Sequence, residues 1–559
     1  MLFFDINSVI GLPLFDIESG NYSGYKKSSD LIADMDFYGI DYSFVYHNSV
    51  FSSEPMKANL RLLEEIKNEK RLLPCWVLLP SNTQDIWKKD NILNDIEKYG
   101  IRALRIFPDF HNINLGLPFI DELFKELEKK AMLLIIQYRN LGVAVPDPVG
   151  YDMVVLDYIC TRFPGLNIVS SGPLRQFYYL LEKHDNLYFS LEWEMHSGII
   201  KDITDRFGAE KILFGTPNCE ISSELSGAVI SMLNYSEISH QDKMKIAGQN
   251  LIAVLNKKKK ADTKFNKIIN ITCSKIKDTG IKKSFKEFPY DDFILSAYKG
   301  SSLPYPVIDC HYHAGEFASE FKPGSSIDTL AGLLKREDIK SMFINSSEAV
   351  FGGDHCTGNR YVYDLCLKYP ECITGFYVFN PNFKESCDEM NKYLSDKNFK
   401  GIKIHPRIHK CDINDKKYIP VWEAAKRFKV PVLSHTGEGQ AHSDPGYFYD
   451  ISEKYSDVTF ILAHGGESFK GILQSIEIVN SRKNVYIDIS GWGFMHKGVL
   501  EFVSKKVGAE KLLFGSDAGW IDFNYAVGVV IFSRLSQPDK EKILCKNARK
   551  ILKNDMSYR

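Results

Sequence analysis

The sequence of 559 residues has little of several features that mark special classes of protein. Its 11 cysteines include no Cys-x-x-Cys pair, which argues against a disulfide framework. No apolar run reaches the roughly 20 residues of a membrane span, and Met1–Asp5 lacks the basic start of a signal peptide. The 70 basic and 71 acidic residues nearly cancel, so no general attraction to nucleic acid or to a membrane is expected. These absences predict a soluble, cytoplasmic protein that binds neither nucleic acid nor membranes.

The chain has enough apolar residues for more than one core, and its two halves resemble each other. Hydrophobic residues make up 44% of it, and its length suggests two to four domains. Three landmarks recur about 300 residues apart, which is the period of a duplicated domain rather than of a solenoid. They pair Phe4–Gly11 with Ile308–Gly315, Leu104–Pro108 with Ile402–Pro406, and Gly208–Pro217 with Gly508–Asp517.

A change of composition separates the two copies. Lysines dominate from Lys257 to Lys286, with few arginines and few interleaved aromatic residues, so we interpret the stretch as a solvated connector rather than a nucleic-acid patch. The predicted division is a first domain over residues 1–256, a connector over 257–303 and a second domain over 304–559.

The second half has a pattern of histidines that indicates a metal site. His311 and His313 follow the apolar run Val307–Cys310, and two residues two apart on a strand point to the same face. Four further polar residues each end an apolar, strand-like run: His405, His435, His464 and Asp517. Five imidazoles and a carboxylate at strand ends favour a metal centre over isolated core histidines.

The same runs predict the fold. Eight strands are expected in the second half, at about 306–311, 340–345, 372–379, 401–405, 431–435, 459–464, 484–489 and 511–516. Segments with helical spacing separate several of them, at Ile327–Arg336, Asn359–Tyr369, Cys387–Ser395, Pro420–Phe428 and Gly498–Val507. This alternation predicts an α/β protein of two tandem (β/α)8 TIM-barrel-like domains, in which the strand ends meet at one mouth.

The first copy keeps the apolar strands but not the ligands. The positions that match the metal-type residues are Asn7, Val9, Phe107, Gln137, Ser171 and Pro217. None of these is a usual zinc ligand. We therefore predict a pseudo-domain, retained for packing, for shaping the neighbouring site or for another ligand.

The second half resembles the amidohydrolase superfamily, and in particular the amidohydrolase-related group that includes aminocarboxymuconate-semialdehyde decarboxylase. The resemblance rests on Asp309–Gly315, with its Asp-x-His-x-His-x-Gly pattern, on His464–Gly466 and on Gly515–Asp517. These motifs are specific for the superfamily and not for a substrate. The first half resembles a degenerate copy.

The resemblance implies one divalent metal, zinc above others, held by His311, His313, His435 and Asp517. It implies that His464 is a catalytic acid or base, and Asp517 can both touch the metal and accept a proton. His405 stands where binuclear members often have a carbamylated lysine. Because histidine cannot be carbamylated, one metal is expected, with Lys403 as a disfavoured alternative bridge.

Several residues near the predicted mouth are candidates for binding substrate. His405 and Arg407 could recognise a carboxylate, whereas the neighbouring His409 and Lys410 fit an ordinary solvated loop better. Trp492, after the seventh strand, could form an apolar wall, and the loop Thr436–Gly446 could cover the pocket.

Three functions remain open at this point. The leading one is hydrolysis of a C–N or C–O bond, in an amide, lactone or ester of a small carboxylated molecule, by metal-activated water. The second is non-oxidative decarboxylation of a small or aromatic carboxylic acid, and the third is a non-catalytic binding or regulatory role. The two barrels are also expected to pack as an intramolecular pseudo-dimer, with Arg105 and Arg139 as weak candidates for residues lent to the active mouth.

Overall fold

The computed structural model describes residues 1–12, 25–80, 89–138, 153–172, 174–191, 196–217, 225–256, 290–316, 321–496 and 498–552. It contains two sheets of eight parallel strands each, and within each sheet the strands are paired in chain order. The first sheet consists of β1 Phe4–Ile10, β2 Tyr42–His47, β3 Leu72–Val77, β4 Ala103–Ile106, β5 Leu133–Ile136, β6 Asn167–Ser170, β7 Leu187–Ser190 and β8 Ile212–Leu213.

The second sheet repeats the arrangement. Its strands are β9 Val307–Ala314, β10 Ile339–Ser346, β11 Ile373–Val378, β12 Phe399–Ile404, β13 Val432–Gly437, β14 Phe460–Gly466, β15 Val485–Asp488 and β16 Leu512–Leu513. Each sheet curls round until its ends meet. The amide of Ile6 donates to the carbonyl of Phe214 at 3.1 Å, and that of Cys310 donates to Phe514 at 2.9 Å. Both domains are therefore (β/α)8 barrels, which confirms the predicted fold.

Helices separate the strands in both halves. In the first half they are Ser28–Tyr38, Pro55–Ile66, Lys89–Tyr99, Asp121–Lys129, Met153–Arg162, Leu174–Lys183, Ile199–Phe207, Leu225–Tyr235, His240–Met244 and Asn250–Asn256. In the second half they are Asp292–Lys299, Ile327–Leu334, His355–Lys368, Ser386–Leu394, Pro406–His409, Ile419–Phe428, Phe448–Lys454, Phe469–Ser481, Val499–Val507, Phe523–Ile531, Gln537–Glu541 and Asn547–Leu552.

Each barrel is filled by apolar side chains from its own strands. In the first, Phe4, Phe44 and Leu133 belong to one fully buried cluster. In the second, Phe343 and Phe376 belong to the corresponding cluster. Because the interiors are packed, the polar residues that can meet a ligand are confined to the strand ends.

The same side-chain hydrogen bonds recur in the two barrels, as expected for a duplication. Three pairs of interactions have matching partners and chain positions. Asn59 bonds to both backbone groups of Val77, as Asn359 does to those of Val378. Asn250 donates to the carbonyls of Ala209 and Ile212, as Asn547 does to those of Ala509 and Leu512. Asp5 accepts from Thr216, as Asp309 does from Ser516.

The chain divides into two compact units, and the division between them does not fall only at the lysine-rich connector. The second unit consists of Met195–Ile199, Glu224–Ser236 and Tyr290–Arg559, and so includes the helix Leu225–Tyr235 from the first half. Within this unit a Cβ on Gly528 would lie 2.7 Å from the Cα of Ala228, so the helix backbones approach closely. Most of the lysine-rich connector lies outside the described residues, and the predicted domain limits stay a prediction.

Individual elements differ from their predicted limits for local reasons. The strand β16 has two residues rather than the predicted six. Just after it, the carbonyl of Phe514 accepts from the amide of Cys310 in β9, and the amide of Ser516 donates to the carboxylate of Asp309 instead of to a neighbouring strand. The helix His355–Lys368 begins four residues before its predicted start, where the side chain of Asp354 accepts from the amide of Thr357 and caps the helix.

Among the described residues, no helix is long and apolar enough to cross a membrane.

Candidate active site

The strand β9 brings His311 and His313 to the mouth of the second barrel. A carboxylate oxygen of Asp309 accepts from the amides of His311 at 2.9 Å and Ser516 at 3.0 Å, which ties the end of β9 to the loop that carries Asp517. Burial raises the pKa of Asp309 to about 7. The local sequence Asp-x-His-x-His thus positions both imidazoles and connects them to the last strand.

His311, His313 and Asp517 converge on one point. The Nε2 atoms of His311 and His313 lie 3.0 Å apart. Oδ1 of Asp517 lies 3.5 Å from Nε2 of His311 and 3.2 Å from Nε2 of His313. Ligand atoms about 2.0–2.2 Å from one tetrahedral zinc ion lie roughly 3.3–3.6 Å from each other. These three side chains therefore fit a shared divalent cation.

The charge state of the imidazoles also suits a metal. Burial lowers the pKa of His311 and of His313 well below the usual range. Burial likewise lowers the pKa of His435 and of His464, in each case to about 3. Neutral imidazoles keep the nitrogen lone pair that coordinates a cation.

A buried carboxylate on β15 orients two of these histidines. Nδ1 of His311 lies 2.6 Å from Oδ2 of Asp488, and the hydroxyl of Ser490 donates to the same oxygen at 2.8 Å. Oγ of Ser490 also lies 2.9 Å from Nδ1 of His464. Because the Ser490 proton is used by Asp488, we assign the Nδ1–H tautomer to His464, which leaves its Nε2 as a base.

Two of the predicted catalytic residues have a left-handed backbone. His464 has φ 64° and Asp517 has φ 55°, conformations that cost free energy in residues other than glycine. Gly491, with φ 80°, borders the first of them, and a Cβ there would lie 2.8 Å from Nδ1 of His464. Backbone strain is thus present at both predicted catalytic residues, near the carboxyl end of β14 and just after β16.

His435 lies beside this group rather than within it. Its ring centroid is 5.2 Å from that of His464, and its Nε2 lies 3.0 Å from Oε1 of Gln440 and 3.8 Å from Oε1 of Glu467. The amide of Gln440 also donates to Glu467. The predicted ligand set is therefore brought together as three residues, with His435 next to them and bound to the loop after β13.

Lys403 lies deep in the same site. Its Nζ is 2.7 Å from Nε2 of His311, and burial lowers its pKa to about 8. Less free energy is then needed to hold the amine neutral beside a cation.

Aromatic rings border the imidazoles on one side. The centroid of Phe351 lies 5.5 Å from that of His313, 5.7 Å from His405 and 5.4 Å from Trp520. His405 stacks on His435 with centroids 4.0 Å apart. The rings form a continuous row beside His313, from the buried His435 to the half-buried Trp520. We call this row the ring wall; it consists of Phe351, His405, His435 and Trp520.

The remaining predicted substrate residues differ in exposure. Arg407 is exposed on the short helix Pro406–His409 and acts electrostatically on His435 and Glu467. Trp492 is 54% exposed. The expectation of a solvated loop is wrong for His409, which is buried with Nδ1 2.9 Å from the hydroxyl of Tyr418, whereas Lys410 is exposed as expected.

Sequence reasoning missed Asp488, Ser490, Glu467 and Phe351. A signal was present for the first two, because Val485–Gly491 carries a carboxylate and a hydroxyl inside an apolar strand run. No local pattern distinguishes Phe351, which comes from the π-helical turn Glu348–Gly352 after β10. Its position depends on that turn, and π turns are frequent near functional sites.

The equivalent positions of the first barrel hold different groups. Val9 and Phe107 belong to an apolar cluster with Tyr46. Arg105, which matches Lys403, donates to the side chain of Gln137 and, at 3.0 Å, to the carbonyl of Ile6. Among the described residues, every cluster of three or more potential metal ligands belongs to the second half of the chain. Arg139 lies outside the described residues.

Comparisons with known proteins give a match in the second half of the chain. Residues 308–553 match the model of the amidohydrolase family. The comparison with curated proteins gave no significant match.

Solved structures with similar folds include 2,6-dihydroxybenzoate decarboxylase from Rhizobium, 16% identical, with a TM-score of 0.39, covering 45% of this chain and 99% of that one. 5-Carboxyvanillate decarboxylase from Sphingomonas paucimobilis is 13% identical, with a TM-score of 0.35 and coverages of 44% and 99%. Dihydroxybenzoic acid decarboxylase from Polaromonas sp. JS666, solved with bound manganese and 2-nitroresorcinol, is 16% identical, with a TM-score of 0.37 and coverages of 45% and 98%.

The motifs of β9, β14 and β16, the barrel and the match to the family model agree with one another. The second barrel carries the motifs of the amidohydrolase family and matches the model of that family over residues 308–553, which is less than half of the chain.

Proposed function

We propose that the second barrel removes a carboxyl group as carbon dioxide from a small aromatic acid, with the help of one divalent metal ion. The observation that carries the proposal is the ring wall, which runs beside the cluster of His311, His313 and Asp517. A flat aromatic substrate can pack against these rings at the spacing of ordinary aromatic contacts. Its carboxylate would then face the metal-type residues.

The charges around the cluster favour an acidic substrate. Lys403 and Lys322 both act electrostatically on His313, and Arg407 acts on His435. Lys322 and His313 are buried, so these interactions are less screened than at the surface. Arg407 is exposed at the rim and could pair with a second acidic group of the substrate.

His311, His313 and Asp517 would hold the metal, which we propose is zinc, and His435 would join them as a fourth ligand. When bound, the ion would supply Lewis acidity that stabilises negative charge on substrate oxygen atoms. Nε2 of His464 can take up the acid proton of the substrate. When the carbon–carbon bond breaks, its electrons stay on the ring carbon, a proton held by His464 or Asp517 joins them, and carbon dioxide leaves.

Hydrolysis of an amide, lactone or ester is the second candidate. The assigned tautomer of His464 and the carboxylate of Asp517 favour it, because both can accept a proton from an attacking water. The same residues serve both reactions, so only the products separate them.

A substrate panel in deuterium oxide tests the proposal. Zinc-loaded full-length protein is expected to release carbon dioxide from a hydroxylated benzoic acid and to place one deuterium on the ring carbon. Turnover of lactones or amides without carbon dioxide would replace the proposal by the hydrolytic one. Well under one equivalent of metal, and no turnover of any substrate after zinc or manganese is added, would favour a binding protein instead.

We further propose that the first barrel is a pseudo-domain without a catalytic metal, and that the protein works in the cytoplasm. Apolar packing around Phe107 and the hydrogen bonds of Arg105 support the former. Free thiols support the latter, since every cysteine of the described residues is unpaired.

A further inference from the structure

A second cluster of ligand-type side chains lies at the start of helix His355–Lys368. Nε2 of His355 is 3.6 Å from Sγ of Cys356 and 3.7 Å from Oε2 of Glu389. All three ligand atoms lie within 4.8 Å of one another. Nitrogen, sulfur and oxygen ligands of one tetrahedral zinc ion are roughly 3.3–3.6 Å apart, so only small side-chain movements separate this arrangement from a coordination shell.

We propose that His355, Cys356 and Glu389 bind one zinc ion, or another divalent cation that accepts sulfur, at a site separate from the catalytic one. Thiolate and imidazole together select such cations over magnesium or calcium. Binding replaces the thiol proton of Cys356, which passes to the solvent. Cys356 is exposed, so water can complete the coordination.

Neighbouring side chains hold the ligands in place. His355 is only 4% exposed, and its ring centroid lies 4.7 Å from that of Phe383. The hydroxyl of Tyr377 lies 3.3 Å from Oε2 of Glu389 and donates to the carbonyl of Ser386 at 3.1 Å. Contacts of this kind orient ligands and raise metal affinity in known sites.

The helix itself also favours a bound thiolate. The side chain of Asp354 caps it at the amide of Thr357, at 3.0 Å, which places His355 and Cys356 in the first turn. The amino end of a helix of 14 residues carries a partial positive charge that stabilises an anion.

Such a cation would fix the segment that bears part of the ring wall. Phe351 lies in the π-helical turn Glu348–Gly352, and Gly353, with φ 79°, joins this turn to the helix. Anchoring His355 therefore restricts the chain four residues after Phe351. The effect on substrate rests on the proposed function, whereas binding of the cation does not.

Cobalt titration of the full-length protein tests the site. After removal of metals, Co²⁺ is expected to produce a sulfur-to-cobalt charge-transfer band, because the catalytic cluster contains no cysteine. The band should be lost in Cys356→Ser and kept in the matched control Cys387→Ser, which changes a half-buried cysteine on the helix of Glu389. Glu389→Gln should weaken cobalt binding at least tenfold, and zinc should protect Cys356 from alkylation.

Two results would overturn the proposal. One is wild-type protein that shows no charge-transfer band at millimolar Co²⁺, and the other is a band that survives Cys356→Ser. Neither depends on turnover, so a protein that lacked decarboxylase activity but showed the band would refute the proposed function alone. Substrate affinity gives a further measurement: Cys356→Ser should raise KM for an aromatic acid more than Cys387→Ser does.

Discussion

Nδ1 of His311 lies 2.6 Å from Oδ2 of Asp488, and both side chains are fully buried. The contact fixes the tautomer of the imidazole, because a carboxylate can only accept, so Nε2 is left with its lone pair towards His313 and Asp517. A carboxylate behind a ligating histidine also increases the basicity of the ligand nitrogen. Asp488 therefore orients His311 for the proposed metal without having to be a ligand itself.

Replacing this carboxylate tests the relationship. Asp488→Asn is expected to weaken metal binding about 10- to 100-fold, the usual cost of losing such a partner. Affinity can be measured by competition with a chromophoric chelator. Asp450→Asn, on the exposed face of helix Phe448–Lys454, is the control and should bind as the wild type does. Equal affinities in both variants would show that Asp488 does not support the ligand.

Removing His464 should separate metal binding from turnover. His464→Ala is expected to keep its metal equivalent and to lose about 10²- to 10⁴-fold in kcat, the range for loss of an acid–base group. Metal content and single-turnover rates on the same sample give both quantities. His442→Ala changes a histidine that contacts Asp412 outside the cluster and serves as the control. Retained turnover in His464→Ala would refute the assigned role.

Adding one methyl group behind the site should disturb it. A Cβ on Gly515 would lie 2.2 Å from Oδ1 of Asp488 and 2.7 Å from Cβ of His311. Gly515→Ala is therefore expected to lower stability by about 1–3 kcal/mol and to reduce metal content. Gly352→Ala, where the nearest atom would be Cγ of Glu348 at 3.6 Å, is the control. Thermal unfolding and metal analysis measure the effects, and normal values for both would contradict the packing described.

His409 should make stability depend on pH. Burial lowers its pKa from 6.5 to about 3, so the folded protein keeps it neutral while the unfolded chain becomes protonated below pH 6.5. Its contribution is complete above pH 6.5 and is lost as the pH falls towards about 3. Between pH 7 and pH 5 the loss is on the order of 1–2 kcal/mol.

Urea unfolding of wild type and His409→Gln at both pH values measures this. The gap in unfolding free energy between the two proteins should narrow at pH 5, because glutamine does not titrate. A gap of the same size at both pH values would mean that His409 is protonated in the folded state as easily as in the unfolded chain.

The helix Leu225–Tyr235 should be needed by the second unit. The compact unit includes Glu224–Ser236, and Gly528 lies against Ala228 and Ser231. A fragment of residues 300–559 is therefore expected to be less stable and less active than one of residues 224–559. Chemical denaturation of the two fragments compares them. Full activity and stability of the shorter fragment would also count against the predicted pseudo-dimer, in which the first half supports the second.

Much of the fold follows from local signals in the sequence. Apolar runs in the sequence predicted all eight strands of the second barrel, since a buried parallel strand must be apolar along its length, and five of these runs lead into a histidine or an aspartate. His311, His313 and Asp517 were predicted as a group because strand ends converge at one mouth. The length of β16 was predicted wrongly, because the amide of Ser516 bonds to the carboxylate of Asp309 rather than to a neighbouring strand. These two residues are far apart in the sequence.

The environment of the site was harder to predict than its ligands. Asp488 becomes important only through its distance from His311, 177 residues away along the chain. Phe351 and Trp520 meet only in the folded barrel, and aromatic residues in loops carry no periodic pattern. The position of His435 beside Gln440 likewise depends on how the loop after β13 folds back.

Arg105 gives the first barrel a positive charge that is covalently part of the chain. Its guanidinium is held by Gln137 and by the backbone of Ile6, at the position that Lys403 has in the second barrel. A cation of this kind cannot dissociate, whatever the supply of trace elements in the cell. The zinc ion proposed for the second barrel, by contrast, would be lost in a zinc-starved medium, whereas the positive charge of Arg105 would stay in place.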